Sequence, residues 1–153
     1  MKAQLDITGR DVNKRFERYD ETALHIAAEK NLLEAAKWLI NQGADLEAKD
    51  IAGWTPLHYT AIYGSVDVAR LLISRGAKVN AKNVYGWTAL HWAAGYNHLK
   101  VAQLLIDNVA DKNIKDNEGR KPIDLASSSE MKALLGGRDQ SGKPVLELSK
   151  FLK

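Results

Sequence analysis

Thr55-Pro56-Leu57-His58 is the most informative stretch of this sequence, because it returns at a fixed interval. Thr22-Ala23-Leu24-His25 precedes it, Thr88-Ala89-Leu90-His91 follows it, and Lys121-Pro122-Ile123-Asp124 is a degenerate fourth copy. The copies start at positions 22, 55, 88 and 121, so each step is 33 residues. A fixed period of this length indicates stacked units, each of which buries its apolar face against a neighbour.

One unit contains the signals for two short helices. Thr55 is a good N-cap, and Pro56 then falls in the first turn of a helix, where its missing N–H costs nothing. A second helix is predicted over residues 65–74, whose apolar side chains follow the helical period. Gly76 is placed to end that helix in the left-handed conformation. Residues 81–87 are polar and contain Gly, which predicts a projecting hairpin loop.

The repeated unit resembles the ankyrin repeat. The resemblance rests on T-[AP]-L-H at a period of 33 residues, with Gly-Ala-Asp or Gly-Ala-Lys before the hairpin, and it covers residues 17–136. It implies an all-α fold, an ankyrin-repeat solenoid of stacked helix-turn-helix units with projecting β-hairpin loops. It also implies a non-enzymatic module that binds a protein partner on a concave face made of hairpin tips and first helices.

The period predicts how the chain is divided. Asp20 stands where later hairpins have Gly, which predicts an altered first turn. Val145, Leu148 and Leu152 have the spacing of a short amphipathic helix that docks on the last repeat. The predicted segments are an N-terminal capping half repeat (1–16), three ankyrin repeats (17–49, 50–82 and 83–115), a shortened C-terminal capping repeat (116–136) and a tail (137–153).

Composition and charge exclude several kinds of site. The 153 residues include no Cys, so a disulfide scaffold, a thiolate nucleophile and a Cys-based zinc site are excluded. Lys plus Arg is 22 against 19 for Asp plus Glu, a net charge of +3 without a basic arm to grip phosphate. No apolar run approaches the ~20 residues of a membrane span, and the start has no signal-peptide core. We expect neither a nucleic-acid nor a membrane partner, and a cytoplasmic or other soluble intracellular compartment.

Three histidines are the strongest candidates for metal binding or catalysis. His25, His58 and His91 hold the same motif position, so stacking should place them roughly 10 Å apart. That is too far for one zinc ion, whose ligands each lie at about 2 Å. We expect each imidazole to bond the backbone of its own T-x-L-H turn. His98 begins a second helix and is predicted to have a capping or surface role.

No stretch of the sequence has the pattern of an active site. Residues 137–144 spell G-x-x-x-x-G-K but end in Pro, where a phosphate-binding loop needs Ser or Thr. We therefore predict no catalytic residue, no metal, no cofactor and no enzyme activity. The alternatives are a regulatory or targeting segment of a larger protein and a secreted effector. Two further alternatives are less favoured: an enzyme, and a protein that binds nucleic acid through Lys49, Lys82, Lys115 and Arg120.

The aromatic residues indicate a binding face. Six of the nine Trp and Tyr residues fall on hairpin tips and first-helix ends, and Trp, Tyr and Arg dominate binding hot spots. A row of lysines before the tips predicts a partner with an apolar centre and an acidic rim. The predicted partner-binding residues are Tyr19, Lys49, Ile51, Trp54, Ile62, Tyr63, Lys82, Val84, Tyr85, Trp87, Tyr96, Lys115, Asn117, Glu118 and Arg120.

An alternative role for the tip tryptophans stays open at this point. Trp54 and Trp87 bind a partner in one hypothesis and pack only against adjacent tips in the other. Tyr59 and Trp92 follow the motif His and are predicted to pack between helices, whereas Trp38 is predicted to lie in the core.

Asn80 is a candidate site for one modification. In animal ankyrin proteins the Asn at the place of Asn80 can be hydroxylated, and Leu72 and Val79 suit that pattern. Lys78, however, replaces the usual acidic residue. The protein is expected to be a monomer.

Overall fold

The computed structural model describes residues 11–136, which form seven α-helices and one 3₁₀ turn at Pro122–Leu125. The predicted tail helix, the G-x-x-x-x-G-K stretch and most of the predicted N-terminal half repeat lie outside the described residues. The helices are α1 (Ala23–Lys30), α2 (Leu33–Asn41), α3 (Pro56–Tyr63), α4 (Val66–Ser74), α5 (Ala89–Gly95), α6 (Leu99–Asp107) and α7 (Ser129–Leu134).

The helices pack in two layers. In the inner layer, α1, α3, α5 and the 3₁₀ turn lie side by side. In the outer layer, α2, α4, α6 and α7 follow one another in the same order. Each unit thus contributes one element to each layer, and the predicted stack of helix-turn-helix units is confirmed.

The repeated Thr begins every inner α-helix. Thr55 is the N-cap of α3, and its Oγ1 accepts a hydrogen bond from the His58 backbone N–H at 3.4 Å. In the reciprocal hydrogen bond, Nδ1 of the His58 ring accepts from the Thr55 backbone N–H at 2.9 Å. Thr22 and Thr88 repeat this capping box in α1 and α5. A cap of this kind stabilises a helix by about 1 kcal/mol.

Leucines at the 33-residue period fill the space between the layers. The largest fully buried side chains include Leu24, Leu57 and Leu90 of the inner layer and Leu39, Leu72 and Leu105 of the outer layer. Burying one such side chain contributes about 1.5–3 kcal/mol. Fully buried alanines, such as Ala61 and Ala93, let neighbouring inner helices approach closely.

The residue that adopts the left-handed conformation after an outer helix is Gly in the first two units and Val in the third. Gly43 and Gly76 follow α2 and α4 with φ of 94° each, the left-handed conformation that was predicted for Gly76. The equivalent position after α6 is Val109, which adopts φ of 59° and is 84% exposed. A β-branched residue in this conformation is strained.

The prediction that Trp38 lies in the core is wrong, since 42% of this residue is exposed. The equivalent positions 71 and 104 are Leu71 and Leu104, which are buried. Leu71 lines the groove between α4 and α2, and Leu104 lines the groove between α6 and α4. Among the described residues no helix precedes α2 in the outer layer, so Trp38 has no such neighbour to cover it.

Candidate protein-binding face

Four tips project between the units, at residues 16–21, 50–54, 83–87 and 116–120. The last three share one design: a side-chain oxygen accepts two backbone N–H groups of its own tip. Asp50 Oδ1 accepts from residues 52 and 54, each at 2.9 Å. Asn83 and Asp116 do the same at the equivalent positions. These acceptors were not predicted, although Asp50, Asn83 and Asp116 recur at a spacing of 33 residues.

Backbone hydrogen bonds join the tips into one row. The N–H of Ile51 donates to the Tyr19 carbonyl at 2.9 Å. The next two links run from residue 84 to residue 52 at 3.1 Å and from residue 117 to residue 85 at 3.0 Å. The tips are turns, and within the described residues the only β-type pairing is a bridge between Phe16 and Glu21. The row therefore presents its side chains on a fixed backbone.

The motif histidines tie each helix to the next tip. The predicted bond to the motif's own backbone is confirmed for His25, His58 and His91, at 2.9–3.1 Å. The far ring nitrogen, Nε2, also donates to the last carbonyl of the following tip, at 2.7 Å for His25 and 2.9 Å for the other two. Burial lowers the pKa of all three rings, for His58 to about 4, so they are neutral at pH 7. Both ring nitrogens of each histidine thus form hydrogen bonds within the fold.

His98 and Asn80 also form hydrogen bonds within the fold. Within residues 11–136 no group of three or more His, Asp or Glu side chains is arranged to hold a metal ion. His98 donates through Nε2 to the Ile62 carbonyl at 2.9 Å, which links α6 to the preceding unit. The Asn80 side-chain oxygen accepts from the Asp111 N–H at 2.9 Å.

Six aromatic rings form a continuous cluster beside the tips, which we call the aromatic cluster. Trp92 on α5 lies at its centre, with its ring 4.8 Å from Trp54 and 4.2 Å from Trp87. The remaining ring contacts extend the cluster along α3 and α5 at centroid distances of 5.8–6.2 Å. The members are Trp54, Tyr59, Tyr63, Trp87, Trp92 and Tyr96.

The cluster is buried at its base and exposed at its edge. Tyr59 and Trp92 are 4% and 9% exposed, so the prediction that they pack between helices is confirmed. Tyr63 and Tyr96 are 51% and 54% exposed. Trp54 and Trp87 are half-buried, so their rings do pack against neighbours, and their part in binding stays a prediction.

Exposed tip side chains continue this apolar surface. Tyr19, Ile51, Val84 and Tyr85 are 45%, 72%, 57% and 58% exposed. Together with the aromatic cluster they form a surface that we call the tip face. It is the surface predicted to be concave, and it contains the predicted aromatic binding residues together with Ile51 and Val84. Ile62, which was also predicted, is half-buried on α3 and packs against the core, outside this face. Exposed apolar areas of this kind mark interaction sites.

Buried carboxylates support the base of the tip face. The Tyr59 hydroxyl lies 2.8 Å from Glu21 Oε2 and 2.7 Å from Asp50 Oδ2, and both acids are buried. Burial raises the pKa of Tyr59, and the two carboxylates raise it further. The hydroxyl therefore stays protonated and holds α3 against the first two tips.

The fourth tip carries a small charged network. Asp116 Oδ2 accepts from Trp87 Nε1 at 2.8 Å and from Arg120 Nε at 2.9 Å. Arg120 also pairs with Glu118 at 2.9 Å and lies 5.9 Å above the Trp87 ring. Burial raises the pKa of Asp116, but hydrogen bonds from residues 118 and 120 outweigh burial, so the pKa lies below its ordinary value.

The three predicted lysines lie one per unit, before the buried acceptors of the tips. Lys49, Lys82 and Lys115 are all exposed. Within residues 11–136 none of them forms an ion pair within 4.0 Å. Their ammonium groups are available to a partner.

Comparison with known proteins agrees with the repeated architecture. A family model described as ankyrin repeats in three copies matches residues 2–83, 24–116 and 81–140. The chain belongs to the ankyrin-repeat family. Ankyrin repeats are generally protein–protein interaction modules and are typically non-enzymatic. A search of curated proteins found no match. Among the described helices of this ankyrin-repeat protein, none has the length and apolar character needed to cross a membrane.

Proposed function

We propose that this ankyrin-repeat chain is a non-enzymatic binding module that holds a protein partner on the tip face. The observation that carries the proposal is the aromatic cluster with its exposed edge at Tyr63 and Tyr96. These rings lie beside tips whose backbones are joined, so a partner meets a surface that is already ordered. A preorganised surface loses little conformational entropy when it binds.

The side chains on the tip face favour a partner with an apolar centre. Tyr and Trp provide large contact areas and are enriched where binding energy concentrates. Lys49, Lys82 and Lys115 lie before the tips, and their charges favour acidic groups on the rim of the partner. Rim charges of this kind mainly raise the association rate, so we expect binding that weakens as salt increases.

Substitution of the exposed tyrosines tests the proposal. The double variant Tyr63→Ala/Tyr96→Ala removes two half-exposed rings and keeps the buried base of the cluster. Capture of partners from an extract of the source cells, followed by mass spectrometry and a Kd for the purified partner, is the measurement. We expect the double variant to weaken binding by about 2 kcal/mol or more, or roughly thirtyfold in Kd.

The matched control is Trp38→Ala, which removes an exposed ring from the outer layer, away from the tip face. It should bind as tightly as the unchanged chain. Equal loss of binding in both variants would show that the tip face is not the site. Melting curves of both variants confirm that each remains folded.

We further propose that the chain is monomeric and works in a soluble intracellular compartment. Light scattering during gel filtration tests the first point, and fractionation of source cells tests the second. A dimer that Tyr63→Ala/Tyr96→Ala converts to a monomer would mean that the tip face binds a second copy instead.

A further inference from the structure

We propose that the pocket between the third and fourth tips binds a cationic side chain of the partner, specifically an arginine guanidinium. This inference rests on the proposed function, because it assigns one contact of the same face. It adds a chemical identity for the group that the partner inserts there.

The pocket has the size and lining for one long side chain. Its volume is about 200 Å³, and one liquid water occupies about 30 Å³. It lies on the tip face, next to the centre of the aromatic cluster. Its lining residues are Tyr85, Trp87, Trp92, Asn117, Glu118 and Arg120.

Three of the six lining side chains are aromatic, which favours a cation. The face of an aromatic ring carries negative electrostatic potential and attracts guanidinium and ammonium groups within about 6 Å of its centre. Trp92 is 9% exposed and its ring stacks on Tyr96, whereas Tyr85 is 58% exposed and can offer its ring to a guest. A side chain can therefore enter past Tyr85.

The protein already holds one guanidinium in this environment. Arg120 Cζ lies 5.9 Å above the Trp87 ring, and its nitrogens pair with Asp116 and Glu118 at 2.9 Å each. Arginine is thus a group that this combination of ring and carboxylates accommodates, with the planar nitrogens matched to carboxylate oxygens.

Lys82 and Lys115 precede the two tips that form the pocket, but the charged network within the fourth tip is itself net negative. Asp116 and Glu118 contribute −2 and Arg120 contributes +1, so the network carries −1. The Asp116 side chain is 1% exposed and is used by Trp87 and Arg120.

The Glu118 side chain is 71% exposed, so its carboxylate can receive the incoming guanidinium while Tyr85 packs against it. Trp87 already stacks on His91 and holds Arg120, so it contributes to the wall of the pocket and not to the stacking surface. Arg120 competes with the guest for Glu118.

Titration with a small probe tests this assignment. N-acetyl-arginine-amide, a guanidinium on an uncharged backbone, is added to the full chain while the indole N–H signals of Trp87 and Trp92 are followed by NMR. We expect saturable shifts of both signals. Glu118→Gln should raise the Kd about fivefold, the upper range for an exposed ion pair. Arg120→Ala should lower the Kd, because it removes the competitor.

The control variant is Glu34→Gln, which neutralises an exposed glutamate on the outer layer and should leave the Kd unchanged. The proposal is overturned if the arginine amide gives no saturable shift. It is also overturned if Glu118→Gln behaves like Glu34→Gln, or if acetate saturates the pocket and Arg120→Ala abolishes that binding.

The same variants separate this inference from the proposed function. If Tyr63→Ala/Tyr96→Ala abolishes capture of the partner while Glu118→Gln has no effect on it, the tip face stands and the cation pocket fails. If the arginine amide binds but the tyrosine variant captures its partner normally, the proposed function fails and the cation site stands.

Discussion

Val109 stands where the two preceding units have Gly43 and Gly76, and it adopts the same left-handed conformation. The Cβ of an L-residue makes this conformation unfavourable by about 1–2 kcal/mol, and valine is branched at that carbon. Val109 is 84% exposed, so its side chain gains little from burial in return. We predict that Val109→Gly raises the free energy of unfolding by about 1 kcal/mol.

Urea denaturation measures this change, and Val84→Gly is the control. Val84 is an exposed valine without a positive φ, so Gly there should destabilise the chain. A Val109→Gly variant that is no more stable than the unchanged chain would contradict the idea that position 109 is strained.

Asn83 is an amide, whereas the equivalent tip acceptors Asp50 and Asp116 are carboxylates. Among the described residues, Asn83 Nδ2 and Trp54 Nε1 are buried donors without a partner. One unit later, Trp87 Nε1 donates to Asp116 Oδ2 at 2.8 Å. Asn83→Asp keeps the oxygen that the tip needs and places a second oxygen where the amide nitrogen now lies.

We therefore predict that Asn83→Asp stabilises the chain at pH 7 by about 1 kcal/mol, the usual net value of one satisfied hydrogen bond. Thermal melts of Asn83→Asp, Asn83→Ala and the unchanged chain give the comparison. Asn83→Ala loses the tip acceptor and should melt lowest. If Asn83→Asp melts as low as Asn83→Ala, the pairing with Trp54 does not form.

At the scale of the element, the Thr–His capping box makes stability depend on pH. The pKa of His58 falls from 6.5 to about 4 on folding, because burial disfavours the charged ring. The unfolded chain therefore binds more protons than the folded chain between these values. The contribution of His58 to the free energy of unfolding is therefore complete above pH 6.5 and is lost as the pH falls towards 4. It amounts to about 3 kcal/mol.

His25 and His91 have pKa values lowered in the same direction, so they add to the loss. We predict that the urea midpoint falls steeply between pH 7 and pH 4.5. The variant His58→Gln should be less stable at pH 7 but should show a shallower pH dependence. A midpoint that stays constant over this range would contradict the account of the buried neutral rings.

The sequence predicts where the helices begin and end better than it predicts which side chains are buried between them. Thr55 and Pro56 predict the start of α3, and Gly76 predicts the end of α4, because caps are local signals. The burial of Trp38 was predicted wrongly, because it depends on whether a neighbouring helix covers that face of α2. The backbone hydrogen bonds between tips could not be predicted either, because nearly every residue type offers the same backbone N–H and carbonyl groups.

At the scale of the whole molecule, each unit is held by its neighbours. Bonds such as His58 Nε2 to the Trp87 carbonyl connect residues 29 apart, so they cross from one unit to the next. Repeat stacks of this kind gain stability from nearest-neighbour interfaces. The same contacts align the tips, so the fold that buries the core also assembles the tip face.

The tip face could be predicted from the sequence in part. The period places Tyr63 and Tyr96 at equivalent positions, and both are exposed as expected. It does not reveal that Trp92 lies between Trp54 and Trp87, because that contact depends on side-chain packing between units. The pocket beside Glu118 depends on the same packing.

The four tryptophans provide the most direct test of the tip face, because three lie in the aromatic cluster and one lies on the outer layer. The measurement is the NMR spectrum of the indole N–H groups of the full chain during titration with the purified partner. The account predicts that the signals of Trp54, Trp87 and Trp92 shift or broaden while that of Trp38 stays in place. A titration that moves the Trp38 signal and leaves the other three unchanged would contradict it.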